Sequence, residues 1–384
     1  KARSTRRNAE FGFSFHSILF RSCSCAFLQA GTLFLRKGRA NAFYKSTSAC
    51  EIVYRILENW STGNENFVKE FEKTVDRVLK NCYDGHGQRN DCGVRRLKME
   101  KNMKSKIVVD SSANVYELPD VGFACVPLKI LTDEQEYVDT AEVDAPALAE
   151  MLRTYKGRTS TSCPNISDWM AAYEGADEVY VVTITGTLSG AYNAALLAGE
   201  EYEQSHEGAR VFVLDSLSTG AESRLLVERL AALIKAGKPF DTVCEEIRAY
   251  HEHTHLLFAL ESLANLARNG RVKPAVAAVA RMLGIRVIGQ ASDAGDLEVL
   301  CKTRGEHGAL ERMVLEMKAH GLTNGRVHID HCCNAAAAER LKHMVHAVFP
   351  EAKVEVGSCG ALCSYYAEYG GLMVGYEDNE APTV

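Results

Sequence analysis

From about residue 105 onward the sequence predicts an α/β fold with a parallel sheet at its start. Three observations carry this expectation: short β-rich runs alternate with helical stretches, the runs read as buried strands, and small hydroxylated residues follow them. "KIVVD" is the first strand and ends in Asp110-Ser111-Ser112. "GFACVPLKIL" reads as one second strand, closed by Thr132-Asp133. "DAPALAEMLRTY" is a helix, with Asp144 as N-cap and Pro146 in its first turn. "VYVVTI" is a third strand, "GAYNAALLAGEEYEQ" a helix and "ARVFVLDS" a fourth strand. "AESRLLVERLAALIKAG" is the next helix, ended by Gly237.

The chain of 384 residues is long enough for two or three domains with substantial cores. No run of about 18 apolar residues occurs, so no integral membrane segment is expected. The stretch "HSILFRSCSCAFLQA" is interrupted by Arg21 and lacks a clean signal-peptide core. Thirteen cysteines, an odd number without regular spacing, fit free thiols in a reducing compartment, and the expected location is cytoplasmic.

Charge divides the chain near Met99. Residues 1–98 hold 18 Lys and Arg against 9 Asp and Glu, whereas the remainder holds 26 against 41. All eight prolines fall at Pro119 or later. Residues 1–104 read as a basic leader and not as a folded domain, with one amphipathic piece, "NENFVKEFEKTVDRVLKN", that has no partner to bury against. Two readings of the leader compete: a tail for nucleic acid or anionic lipid, or an appendage upstream of a start near Met99 or Met103. The second is favoured, because the positive charge is diluted with Phe, Cys and Ser, and no nucleic-acid partner is expected.

The strand ends hold the candidate site. After "VYVVTI", Gly186 and Gly190 let the chain bend, Ser189 brings a hydroxyl, and a helix begins. A strand, a small-residue turn and a helix N-terminus present N–H groups and hydroxyls together, which suits an anion. The plainer reading is that Ser189 only caps its helix. "RTSTSCPNISDWMAAY" repeats the design, with four hydroxyl residues from Thr159 to Ser162 before Pro164 and a helix. "VLDSLSTGAESRLL" and Asp110-Ser111-Ser112 are further hydroxyl-rich turns. None has an evident His base, no GxGxxG comes after the first strand and no Walker lysine appears. These turns therefore point to a small anion held by neutral donors, with no cofactor.

"KIVVDSSANV", "VPLKI", "TSTSCP", "TGTLSGAYNAA", "VLDSLSTG", "LANLARNGRV", "LGIRVI" and "VHIDHCCNAAAAERL" occur in the order and spacing of the DegV family, which residues 105–378 resemble. The resemblance implies a two-domain α/β fold, with domains at 105–252 and 253–384 and the ligand at their interface. It implies a long-chain fatty acid in an apolar tunnel, its carboxylate bonded by Thr161 and Ser189, with Ser162 and Gly190 beside them. It also implies that Arg271 stands at the head-group end and that a separate fatty acid kinase phosphorylates the bound acid, leaving this chain a carrier without catalysis. Physically, burying roughly ten methylenes at about 0.8 kcal/mol each makes the tail the main source of affinity, while the hydroxyls orient the head.

The second domain carries "NLARNGRV" with Arg268 and Arg271, then "AVAAVARMLGIRVIGQ", whose apolar residues read as core or tunnel lining, and "KTRGEHGALERMV" with Arg304. Arg271 also has a plainer reading as a salt-bridged surface arginine. Near the C-terminus the chain departs from the family, which often places a histidine in an HxGPG segment: "CSYYAEYGG" puts Cys363 there. A thiol supplies neither the same proton nor the same charge near neutral pH, which bears on the kinase step. His331 reads as a structural residue. His328, His331, Cys332, Cys333, Cys359 and Cys363 lack standard zinc spacing, and no metal is expected. Two function classes remain: a monomeric fatty-acid carrier, or an α/β enzyme acting on a small phosphorylated or carboxylated metabolite.

Overall fold

The computed structural model describes residues 104–273 and 284–382. The leader, its amphipathic piece and most of "AVAAVARMLG" lie outside the described residues.

Four strands form a wholly parallel sheet: β1 (Ser105–Asp110), β2 (Gly122–Val126), β6 (Glu178–Thr183) and β7 (Arg210–Asp215), in the order β2-β1-β6-β7. It is apolar on both faces, as the continuous runs require. Ile107, Val109, Tyr180 and Val182 face α4 (Ala221–Lys235) and α5 (Phe240–His251). Val108, Val179 and Val181 face α2 (Ile166–Tyr173) and α3 (Ala191–Ser205). The period-2 alternation of the strands is what deals these residues to two separate cores.

The run "GFACVPLKIL" is not one strand. Pro127 has no N–H and a fixed φ, so the ladder ends at Val126. The chain leaves the sheet as β3 (Lys129–Thr132) and builds a small antiparallel sheet with β4 (Glu136–Val138) and β5 (Thr159–Ser162), in the order β4-β3-β5. β5 is the hydroxyl run expected as a turn. Ile130 pairs with Thr161 and Lys129 with Ser162, so β3 holds these hydroxyls on an ordered ladder. Between β4 and β5, α1 (Ala145–Thr154) starts as predicted, with Asp144 accepting a hydrogen bond from Ala147 N at 2.9 Å.

The second half forms a six-stranded mixed sheet from β8 (Thr254–Leu260), β9 (Ile285–Ala291), β10 (Leu297–Arg304), β11 (Arg326–His331), β12 (Lys353–Ser358) and β13 (Leu372–Glu377). Its order is β10-β9-β8-β13-β11-β12, antiparallel except for the pair β11/β12. One face packs on α7 (Glu306–Ala319) and α8 (Ala335–Val348) through Met313, Met317, Leu341 and Val345. α4 lies against both large sheets. Its first turn meets β13 backbone to backbone, since a Cβ on Gly375 would stand 2.4 Å from the Ala221 carbonyl carbon, and only glycine permits that approach. Among the described residues, no helix is long and apolar enough to cross a membrane.

Candidate functional site

A cavity of about 270 Å³ opens where the turns after the parallel strands meet the outer face of the six-stranded sheet. Thr161, Ser162, Ser189, Gly190 and Arg271, read from separate motifs, all line it. Its wall is otherwise mostly apolar, and the described lining residues include no His, Lys, Asp or Glu. Neutral donors and one guanidinium are thus its strongest polar groups.

The turn after β6 is pinned from several sides. Gly186 N donates to both oxygens of Asp215 at 3.1 Å, and the hydroxyls of Thr185 and Thr187 donate to Gly295 O at 3.0 and 2.7 Å. The N-cap of α3 is Gly190, not Ser189; Ser189, one residue earlier, accepts from Ala191 N at 3.2 Å through its Oγ and lines the cavity as well. Gly190 has an ordinary φ of −73°, so its lack of a side chain serves space, not conformation: a Cβ there would sit 3.3 Å from Cys163 Sγ. Among the described residues Arg271 forms no ion pair, and it is half-buried against the cavity. It comes after α6 (Ala264–Arg268) and Gly270, whose φ of +75° turns the chain back, and its Nε donates to Leu188 O at 3.1 Å.

The remaining hydroxyl turns are internal struts. Asp110 accepts from Ser112 N, Ser112 Oγ and Ile184 N, and burial raises its carboxyl to about 6 despite these donors. Ser111 Oγ accepts from Leu128 N at 3.0 Å, and Ser216 Oγ donates to Ser218 O at 3.0 Å. From that last turn, Thr219 reaches the cavity.

Sequence reasoning missed most of the wall. Leu256, Phe258 and Leu260, alternate residues of β8, face the cavity, while Leu257 and Ala259 enter the core beneath α7 and α8. The i, i+2 spacing was visible, but with both faces apolar it did not say which faced a ligand. Leu266, Leu297 and Met373 complete that side. The helix α9 (Ala361–Ala367) supplies Leu362, Cys363, Tyr366 and Ala367. Asp139, fully buried, holds its first turn by accepting from Ala361 N at 2.9 Å and Leu362 N at 3.2 Å. Tyr366 Oη stands 2.6 Å from Thr161 Oγ1.

Cys363 lines the cavity, but its thiol donates to Ser112 O at 3.2 Å, and burial raises it well above its ordinary value. It is a neutral wall group. His331 is absent from the described lining; its Nδ1 accepts weakly from Asn334 N at 3.4 Å and burial lowers its pKa. His328 is bonded to Glu228 at 2.9 Å, Cys332 donates to Ser364 O, and no metal-holding group of three or more His, Cys, Asp or Glu occurs among the described residues.

Residues 104–378 match the profile described as "Uncharacterised protein, DegV family". A DegV domain-containing protein of Streptococcus pneumoniae is 38% identical over 279 residues, which cover 72% of this chain and 99% of that protein. The structure of a DegV family protein from Eubacterium eligens loaded with heptadecanoic acid is similar with a TM-score of 0.70 and 40% identity, covering 72% of this chain and 100% of that one. The Streptococcus pneumoniae Fatty Acid Kinase (Fak) B3 protein loaded with linoleic acid is similar with a TM-score of 0.71 and 38% identity, again over 72% and 100%.

Proposed function

The chain belongs to the DegV family, and from that premise we propose that its cavity binds a long-chain fatty acid and that the protein carries it to a fatty acid kinase. The carboxylate lies at Thr161, Ser162, Ser189, Gly190 and Arg271, and the acyl chain lies along Leu256, Phe258, Leu260 and Leu297. One observation carries the reading: a single cavity joins clustered hydroxyls and one guanidinium to a wall of leucine, phenylalanine and methionine. An amphiphile with a small anionic head matches both parts, whereas a small polar metabolite would leave the apolar wall without a partner.

In this reading catalysis resides in the kinase, and the chain works as a cytoplasmic monomer. Residues 105–252 and 253–384 act as two domains with the ligand between them. Sheet membership supports that boundary, because the parallel and three-stranded sheets end by Asp215 and the six-stranded sheet begins at Thr254. Arg271 offers the positive charge that an acyl phosphate needs and neutral hydroxyls do not supply. Titrating delipidated protein with palmitic acid and with methyl palmitate tests the reading. The acid should bind and the ester should bind more weakly; failure of both to bind would refute it.

A further inference from the structure

Position 363 directs no proton donor into the cavity, since the Cys363 thiol is spent on the Ser112 carbonyl. One helical turn later on α9, Tyr366 lines the same cavity, with its hydroxyl 2.6 Å from that of Thr161. Two hydroxyls carry two hydrogens, and the bond between them uses one. Whichever group donates, the other hydrogen remains for a third partner, and the internal bond strengthens the outward one. Burial raises the Tyr366 phenol, with Thr161 and Arg271 offsetting part of that rise, and the hydroxyl pair and the guanidinium line the same cavity.

The hydroxyl pair is preorganised. Asp139 and Asn114 hold the start of α9, the latter accepting from Gly360 N at 2.9 Å. The Tyr366 ring stands edge-on to Tyr365 with centroids 4.9 Å apart, and Tyr365 Oη donates to Thr159 Oγ1 at 2.8 Å, two residues before Thr161 on β5. Helix and strand are thereby fixed against each other at the point where both present hydroxyls.

Resting on the fatty-acid reading, we infer that Tyr366 is a head-group contact, its hydroxyl and that of Thr161 forming one two-hydroxyl donor for the carboxylate. The pair has a consequence that a wall residue lacks: loss of the hydroxyl that donates outward removes the bond to the carboxylate, loss of the other removes the polarisation that strengthens that bond, and the two losses overlap. Tyr366 also sets selectivity for the free acid over its neutral esters, because an ester oxygen is a weaker acceptor than a carboxylate.

The experiment is a titration of delipidated parent, Tyr366→Phe, Thr161→Val and the double variant with palmitic acid and methyl palmitate. The phenylalanine keeps the ring packing, and coincident thermal unfolding midpoints confirm it. Tyr366→Phe should weaken acid binding about tenfold and leave ester binding unchanged. The double variant should bind the acid more tightly than the product of the two single losses implies. The inference falls if Tyr366→Phe weakens acid and ester equally, which marks a packing role, or if its acid affinity stays within about twofold of a parent that still prefers the acid. In both cases the fatty-acid reading survives. If the parent binds neither compound, that reading falls and this inference with it.

Discussion

The two large sheets meet the cavity in different ways. The parallel sheet contributes none of its strand interiors; it reaches the cavity through the turns beyond its strand ends, namely Ile184, Leu188, Ser189 and Gly190 after β6 and Thr219 after β7. The six-stranded sheet does the opposite and offers strand faces, with Leu256, Phe258 and Leu260 on β8 and Met373 on β13. Strand ends expose unpaired N–H groups and tolerate small hydroxylated residues, whereas a strand face already has its backbone paired and can be wholly apolar. The polar and apolar parts of the site therefore depend on which portion of each sheet faces inward.

Removing the apolar face should have the largest effect. The Phe258 ring lies on the β9 backbone, where a Cβ on Gly289 would stand 2.3 Å from its Cζ, and the residue is 4% exposed. Phe258→Ala should cost about 4 kcal/mol of stability in denaturant unfolding. An unchanged midpoint would show that the ring is not part of the packed wall.

The parallel-sheet end should respond to pH through Asp110, buried and raised from 3.8 to about 6. Between these values the folded state binds more protons than the unfolded chain, so this contribution is complete below about pH 4, falls as pH rises through about 6, and is flat above. Relative to Asp110→Asn, which does not titrate there, the parent should lose about 3 kcal/mol across that window. Unfolding curves from pH 4 to 7 measure the difference, and a constant offset would contradict the assignment.

At the hydroxyl end, Ser189→Ala and Thr161→Val should each weaken fatty-acid binding by about 2 kcal/mol. Ser189→Ala should also lower stability by about 1 kcal/mol or less, because its Oγ accepts from Ala191 N in the first turn of α3. Equal affinities in calorimetric titration would put the carboxylate elsewhere. The smallest effect is expected at Arg271. With a cognate kinase and ATP, Arg271→Ala should slow acyl phosphate formation about tenfold, more than it weakens ligand retention. Equal losses in both assays would make Arg271 an ordinary binding residue.

This contrast between sheets also explains which features were legible in the sequence. The hydroxyl-rich stretches that hold Thr161, Ser162, Ser189 and Gly190 stood out by composition, whereas the choice of Thr161 and Ser189 as carboxylate ligands, and of Arg271, came from the resemblance to the DegV family. Leu256 and Leu257 could not be told apart, since one faces the cavity and the other the core in a strand that is apolar throughout. The break at Pro127 was legible in principle, as proline cannot continue a ladder, but the apolar residues around it read as one run. Tyr366 escaped notice because its partner, Thr161, lies 205 residues away, and only the fold brings helix and strand together.

The central claim is that one cavity holds one long-chain fatty acid, and native mass spectrometry of the full chain, purified without added lipid, tests it most directly. The expected spectrum shows one retained species with the mass of a long-chain fatty acid, released when the protein is denatured. A bare polypeptide mass that gains no adduct after incubation with palmitic acid would contradict the claim.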